Sequence, residues 1–519
     1  MRRWNGWGDP AHNYPLLGEG RTFLESALGP GEAIPDCSLE SALAQIPRFR
    51  LRPHPLITTD SEARLRHARG QSLPDWVALR YGCLDSFPDG VAYPEGEDDV
   101  RALLEYAERQ AVCLIPYGGG TSVVGHIHPL AGDRPVLTVD LSRLNRLVEL
   151  DEVSRLATFE AGVRGPALET SLATRGFTLG HFPQSFEYST LGGWVATRST
   201  GQQSHHYGRI EQLFAGGHLE TPVGPLDLPA FPASAAGPDL RQLVLGSEGR
   251  LGILTRAVVR IRRRPAFERF SAFFFHEWAE GVEALRRCAQ EAAPISMLRL
   301  SDSVETETTL RLAGHPTIAA WVRRGLSLLG YPESRCLLIA AETDSHAGLR
   351  RLGGLPAGRP IGEMWRASRF RAPYLRNSLW EAGYALDTLE TAVPWSRLLP
   401  CAEAVLSALH TALEREDERV LAFAHLAHVY PDGASIYATV LFRRTRDADQ
   451  TLARWRALKD SATRALLAHG GTVSHQHGVG LDHAPFLSLE KGPLGLQALE
   501  AACRTLDPRG VMNPKKLVA

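Results

Sequence analysis

The chain has no disulfide framework, no long apolar run, no excess of either charge and no internal repeat. Its seven cysteines, Cys37, Cys83, Cys113, Cys288, Cys336, Cys401 and Cys503, stand singly, odd in number and without a CxxC pair. That spacing excludes a disulfide-stapled secreted domain or a cysteine-ligated zinc module, and a reducing cytoplasm is the expected setting. No stretch approaches the roughly 18 apolar residues of a membrane span. Met1-Arg2-Arg3-Trp4-Asn5-Gly6 runs into Gly8-Asp9-Pro10 instead of an apolar signal core, and Lys515-Lys516-Leu517-Val518-Ala519 is not a peroxisomal SKL-type address. With 57 Lys+Arg against 58 Asp+Glu and a net charge of −1, nothing in the bulk electrostatics draws nucleic acid or an anionic membrane. The 44% hydrophobic content rules out disorder.

What is present is length and patterned glycine. At ~150 residues per domain, 519 residues correspond to about three units, enough to enclose a cofactor-sized cavity. Residues 1–89 are proline-rich, with short helical patches at Leu39 to Ile46 and Thr59 to His67, and read as an accessory layer without catalytic features. From Glu97-Asp98-Asp99 the pattern changes. The acidic turn precedes Val100, Leu103, Leu104 and Tyr106 on one helical face, which predicts a helix start. Strand patterns follow at Val112 to Pro116, Val136 to Leu141, Arg146 to Asp151 and Leu156 to Ala161, with a helix carrying Ala167, Leu168, Leu172 and Ala173. Leu251 to Arg263 reads as one further strand. After Pro265 come Phe270 to Phe275 and amphipathic helices at Trp278 to Cys288 and Leu398 to Glu416, placing a boundary near 264.

Three loops mix glycine with hydroxyl side chains. The first, Pro116-Tyr117-Gly118-Gly119-Gly120-Thr121-Ser122, leaves an apolar strand, a placement that lets bare backbone approach a phosphate. It is neither G-x-G-x-x-G nor a P-loop, and alone it is equally a tight turn. The second runs from Gln184-Ser185 through Thr190, Gly192, Gly193, Thr197, Arg198, Ser199 and Gly201 to Tyr207-Gly208. The third is Gly246-Ser247-Glu248-Gly249-Arg250-Leu251-Gly252-Ile253. Three such loops suit one elongated ligand with phosphates in its middle.

These loops, together with Asp507-Pro508-Arg509-Gly510-Val511-Met512-Asn513-Pro514, resemble the vanillyl-alcohol-oxidase-type flavoproteins with a PCMH-type FAD domain. Trp4-Asn5-Gly6-Trp7-Gly8, Thr388-Leu389-Glu390-Thr391-Ala392-Val393-Pro394-Trp395 and Ser474-His475-Gln476-His477-Gly478-Val479-Gly480 are similar to alkyldihydroxyacetonephosphate synthase and its bacterial relatives. The resemblance implies an α+β fold with a helical N-terminal region (1–89), a two-subdomain FAD domain (90–264), an α+β cap (265–480) and a C-terminal segment (481–519) returning to the FAD domain. It implies non-covalent FAD, held by the three loops and Asn513. It also implies ether lipid chemistry: the acyl group of an acyl dihydroxyacetone phosphate is exchanged for a long-chain alcohol through a flavin N5 adduct, without net redox change. A lipid-like phosphorylated substrate, peripheral membrane contact and a homodimer are further expectations.

The same resemblance singles out Tyr437, Arg376, His475 and His477 as catalytic. A phenol moves a substrate proton only if its surroundings lower its pKa, and Tyr437 reads equally as a strand aromatic. Arg376 lies fourteen residues before Glu390, where the relatives carry an arginine for the leaving carboxylate, and Arg198 matches an arginine near the flavin; either also reads as an ordinary surface arginine. Gln476 replaces the middle of three consecutive histidines and cannot carry a proton. This departure favours the alternative of an FAD-dependent dehydrogenase or oxidase of a 2-hydroxy acid or polyol phosphate. Against that alternative, the cap motif of such enzymes, G-H-x-G-D-G-N-x-H, survives here only as Ala427-His428-Val429-Tyr430-Pro431-Asp432-Gly433-Ala434-Ser435-Ile436-Tyr437, without its second histidine. No metal-ligand set is therefore expected.

Overall fold

The computed structural model describes residues 2–312, 324–331, 333–343 and 348–518. The acidic turn opens the helix Glu97–Gln110, which buries Val100, Leu103, Leu104, Tyr106 and Ala107 on one face. That face covers a four-stranded sheet ordered Ile57–Thr58, Gly90–Ala92, Val136–Asp140, Cys113–Tyr117. The last three strands are parallel. At the open edge the C-terminal segment returns: Leu114 donates its N–H to Val511 O, and Asn513 donates its own to Leu114 O. The glycine-rich first loop leaves the C-terminal end of this edge strand.

A five-stranded antiparallel sheet follows, ordered Leu147–Asp151, Leu156–Glu160, Ile253–Arg260, Phe214–Thr221, Gly224–Leu228. The single strand expected over Leu251 to Arg263 is two. Ile253–Arg260 carries two register irregularities against its neighbour, and Arg262–Arg263 leaves to pair with Phe177–Thr178. Bulges of this kind bend a strand out of its ladder.

Beyond residue 265 the chain forms a seven-stranded antiparallel sheet. Its order is Leu355–Gly358, Glu268–Phe275, Cys336–Thr343, Met297–Ser301, Leu421–Leu426, Gly433–Arg443, Tyr384–Pro394. Strand alternation divides its residues. Leu298, Leu300, Leu338, Ala340, Ala422, Ala424, Ile436 and Ala438 pack into a core with residues of the helices Trp278–Gln290, Trp395–Thr411 and Ala448–Ala468. Met297, Arg299, Leu337, Ile339, Phe423, His425, Tyr437 and Thr439, the alternate set, line a cavity instead.

The N-terminal residues do more than the accessory layer expected of them. Trp7, Tyr14, Gln71 and Trp76 line that same cavity. Asn377 clamps the segment by accepting the Trp7 N–H at 3.3 Å and donating to Trp7 O at 3.0 Å. Proline-rich chain without strong periodicity hid this role, because the wall it builds depends on contacts about 300 residues away in sequence.

Candidate active site

One continuous cavity of ≈ 780 Å³ lies between the glycine-rich loops and the open face of the seven-stranded sheet. At the loop end, Gly118 and Gly119 are fixed by close approach. A Cβ on Gly119 would sit 1.9 Å from Tyr188 O, and one on Gly118 2.3 Å from Thr190 Oγ1. The first two loops are thus pressed together, and no side chain fits between them. Arg2 supports the turn from behind by donating to Gly119 O and Gly120 O.

Most of the expected ligand-binding residues meet on this cavity. Pro116, Gly118, Gly119, Gly120, Thr121 and Ser122 line it, as do Gln184, Ser185, Thr190, Gly192, Gly193, Thr197 and Ser199. Glu248, Gly249, Gly252 and Asn513 complete that end. Glu248 has a structural task as well, its carboxylate accepting the N–H groups of Val479 and Gly480 at 2.5 and 2.9 Å. It thereby ties the third loop to the segment carrying His477.

Five expected residues lie elsewhere. Arg198 ends the helix Leu191–Thr197 in a left-handed conformation and donates to Leu245 O and Gln242, so its guanidinium staples two loops together. Gly201 is pinned against the Phe182 backbone, Tyr207 packs over Gly180, and Gly208 closes a short helix at φ +94°. Ile253 is fully buried in the core beneath the four-stranded sheet. All five shape the loops without facing the cavity.

The chemistry-bearing end is built by strand register. His425, Tyr437 and Glu390 are direct neighbours across three adjacent strands. His425 stacks on the Tyr437 ring at 4.7 Å, and Arg299 and Glu305 hold His425, with Arg299 2.7 Å from the Glu305 carboxylate. His477 meets Tyr437 edge to face at 5.8 Å. Burial pushes the Tyr437 phenol above its ordinary range, outweighing a hydrogen bond with Thr388 that pulls the other way. The phenol is therefore protonated at neutral pH, contrary to the lowered pKa that the expected role called for. Burial also drives the His477 imidazole down to about 4, against the pull of Glu390, so it is neutral at pH 7, with a lone pair free but less basic than that of an exposed histidine.

Arg376 projects from the helix Ala372–Glu381 over the Trp76 ring at 4.4 Å. Its Nη1 donates to Gln71 O at 2.5 Å, while Nε and Nη2 are buried without partners. Burial lowers its pKa to about 10, which leaves it a cation. His475 does not reach the cavity. Its Nδ1 lies 3.0 Å from Glu390 Oε1 and its Nε2 bonds the Tyr430 hydroxyl at 2.6 Å, while its neighbours Gln476 and His477 face inward.

Against this geometry, two family models match: an FAD binding domain over residues 88–226, and the C-terminal domain of FAD linked oxidases over residues 264–517. Alkyldihydroxyacetonephosphate synthases from Trypanosoma brucei brucei and Dictyostelium discoideum are each 30% identical to the chain. The first alignment covers 89% of this chain and 78% of that protein, the second 88% and 78%. The chain belongs to the alkyldihydroxyacetonephosphate synthase family. A solved structure of such a synthase superposes with a TM-score of 0.84 at 25% identity over 99% of both chains.

As a member of that family the chain is a flavoenzyme that binds FAD. The residues present fit the cofactor. Besides the Cβ-excluding glycines, Thr200 Oγ1, Gln202 Oε1 and Asn513 Oδ1 are buried in the cavity wall with no partner, as polar atoms awaiting a ligand would be. Sequence reasoning passed over Arg299, Glu305, His425, Gln71 and Trp76. Arg299 carried a signal, since it is the one charged residue in the apolar strand Met297–Ser301 and shares a face with Met297. The others meet only through tertiary contacts.

Proposed function

We propose that the enzyme exchanges the acyl group of an acyl dihydroxyacetone phosphate for a long-chain alcohol, yielding an ether lipid with no net redox change. The observation that carries this reading is the continuity of the cavity. The glycine cradle, Tyr437, His477 and Arg376 share one space with an apolar arm along Met297, Leu337, Ile339, Ile361, Met364 and Trp365. A phosphorylated acyl substrate needs both a polar end and a dry wall. On this reading residues 90–264 with 481–519 hold the cofactor, 265–480 carry the substrate, and 1–89 close one side.

Bound FAD, held non-covalently by the three loops, supplies an electrophilic ring that takes up and returns electron density at the reacting carbon. The protein handles protons and anions around it. Neutral His477 accepts the substrate proton α to the carbonyl, and the protonated Tyr437 hydroxyl donates a hydrogen bond to the oxygen on which charge develops. Arg376 offers Nε and Nη2, two free donors on one edge, to the two oxygens of the departing fatty carboxylate. His475 positions His477 by bracing its segment against Glu390. Met364, exposed on the helix Arg359–Ser368 at the end of the apolar arm, marks where peripheral membrane contact would deliver a lipid.

Gln476 on the cavity wall favours the second reading, a dehydrogenase of a 2-hydroxy acid or polyol phosphate, because it removes a proton carrier. The two readings separate in one anaerobic experiment. Labelled fatty alcohol and the acyl substrate, without an electron acceptor, are expected to give ether product and free fatty acid in equal amounts. Lasting flavin bleaching by a hydroxy acid, with turnover that requires an acceptor, overturns the exchange reading.

A further inference from the structure

Three ligating side chains that are far apart in the chain converge beside the catalytic tyrosine. Glu390 Oε1 lies 3.0 Å from His475 Nδ1 and 3.7 Å from His428 Nε2, and the three ligand atoms all fall within 4.8 Å of one another. Each histidine is held from its other nitrogen: His475 Nε2 by the Tyr430 hydroxyl at 2.6 Å, His428 Nδ1 by Ser204 Oγ at 3.1 Å. Such outer partners fix the tautomer and aim the ligating lone pair. Both Glu390 oxygens and His475 Nδ1 are buried without a hydrogen-bond partner, although the two groups nearly touch. The His428 and His475 rings stack at 5.0 Å, which brings a nitrogen of each to the same carboxylate.

Among the described residues, no lysine or arginine lies within ion-pair reach of Glu390. The other comparable cluster, Glu97, His218 and Glu220, differs in this respect. Arg256 lies 2.6 Å from Glu97 and Arg101 2.8 Å from Glu220, so that cluster carries its own cations.

We propose that Glu390, His428 and His475 bind a divalent transition-metal ion of the zinc class. Tetrahedral zinc with bonds of about 2.1 Å separates its ligands by about 3.4 Å, between the two distances found here. Two histidines and one carboxylate leave a fourth position, which opens to the cavity on the side of His428, the one ligand that lines it. The missing second histidine of the cap motif does not preclude the site, because folding supplies Glu390 from the adjacent strand region and His475 from the segment that also carries His477. The ion would fix that segment and so the position of His477. The assignment stands apart from acyl exchange and survives or fails independently of it.

The test uses tag-free holoenzyme, stripped with a chelator, dialysed, and titrated calorimetrically with Zn²⁺ alone. One equivalent per chain is expected, with X-ray absorption at the zinc edge showing two nitrogen ligands and one oxygen ligand from the protein. Glu390→Gln is expected to weaken binding by about 100-fold or more. Tyr430→Phe, which leaves all three ligands intact, is expected to weaken it about 10-fold. Absence of Zn²⁺ binding by the wild-type protein, or equal affinity in the wild type and Tyr430→Phe where Glu390→Gln does not fold, overturns the site.

Discussion

Tyr437 stands between two ionisable strand partners. His425 stacks on it from one side, and Glu390 is its register neighbour on the other. Tyr437→Phe keeps the ring and the stack but removes the hydroxyl. The expected result is loss of turnover by about 100-fold or more with FAD fully retained, read by kinetics and by flavin absorbance. A fully active Phe variant would take the hydroxyl out of the chemistry. Arg376→Lys keeps the charge and loses the fork. A lost charge-assisted hydrogen bond of about 1.5–3 kcal/mol lowers kcat/KM by about 10- to 100-fold. Unchanged kinetics would mean that the guanidinium touches no substrate. Both residues were legible in the sequence only through resemblance, since an alternating strand makes any tyrosine look structural. Arg299 showed only as a charge inside an apolar strand, and Glu305 and His425 were not legible, because the three meet through strand pairing and helix packing that no local pattern specifies.

Among the elements, the glycine loops and the cap strands do different work. The loops exclude side chains so that backbone can close around the cofactor; the strands use their two-residue period to send one set of residues to the helices and the other to the cavity. Gly119→Ala tests the first. Its Cβ would collide with Tyr188 O, a backbone atom that cannot move without opening the second loop. The variant is expected to purify with little or no bound flavin, seen as a depressed 450 nm absorbance relative to protein; full occupancy would show that the two loops can part. Element positions were largely readable. The helix Glu97–Gln110 and the strands Val136–Asp140 and Leu156–Glu160 lie where acidic turn and apolar period put them. The break after Arg260 was not readable, because the bulges that cause it arise from pairing with a neighbouring strand.

At the scale of the whole molecule, a split chain closes on itself. The C-terminal segment bridges the first sheet's edge strand at Leu114, and N-terminal residues line the cavity. Stability at this scale has a pH signature. His181 is fully buried beside Trp194, and burial, reinforced by Arg209, lowers its pKa to about 3. The folded protein thus holds it neutral. Its contribution is fully present above the ordinary histidine pKa of about 6.5 and is lost as pH falls towards 3, because the unfolded chain takes the proton first. Denaturation of His181→Phe should therefore show a shallower acid loss than wild type, by about 1.4 kcal/mol per pH unit between pH 6 and 4. Parallel curves would mean that water reaches His181. The sequence by itself determined the alternation of elements, the three phosphate-suited loops and the absence of bulk charge, because these rest on local periodicity, backbone freedom and composition. Only the tertiary structure decided that Glu390, His428 and His475 bring ligand atoms within 4.8 Å of one another, that Arg198 turns away from the cavity and that the N-terminal residues line it. Those outcomes depend on strand register and on contacts between residues distant in the chain, which local chain chemistry does not encode.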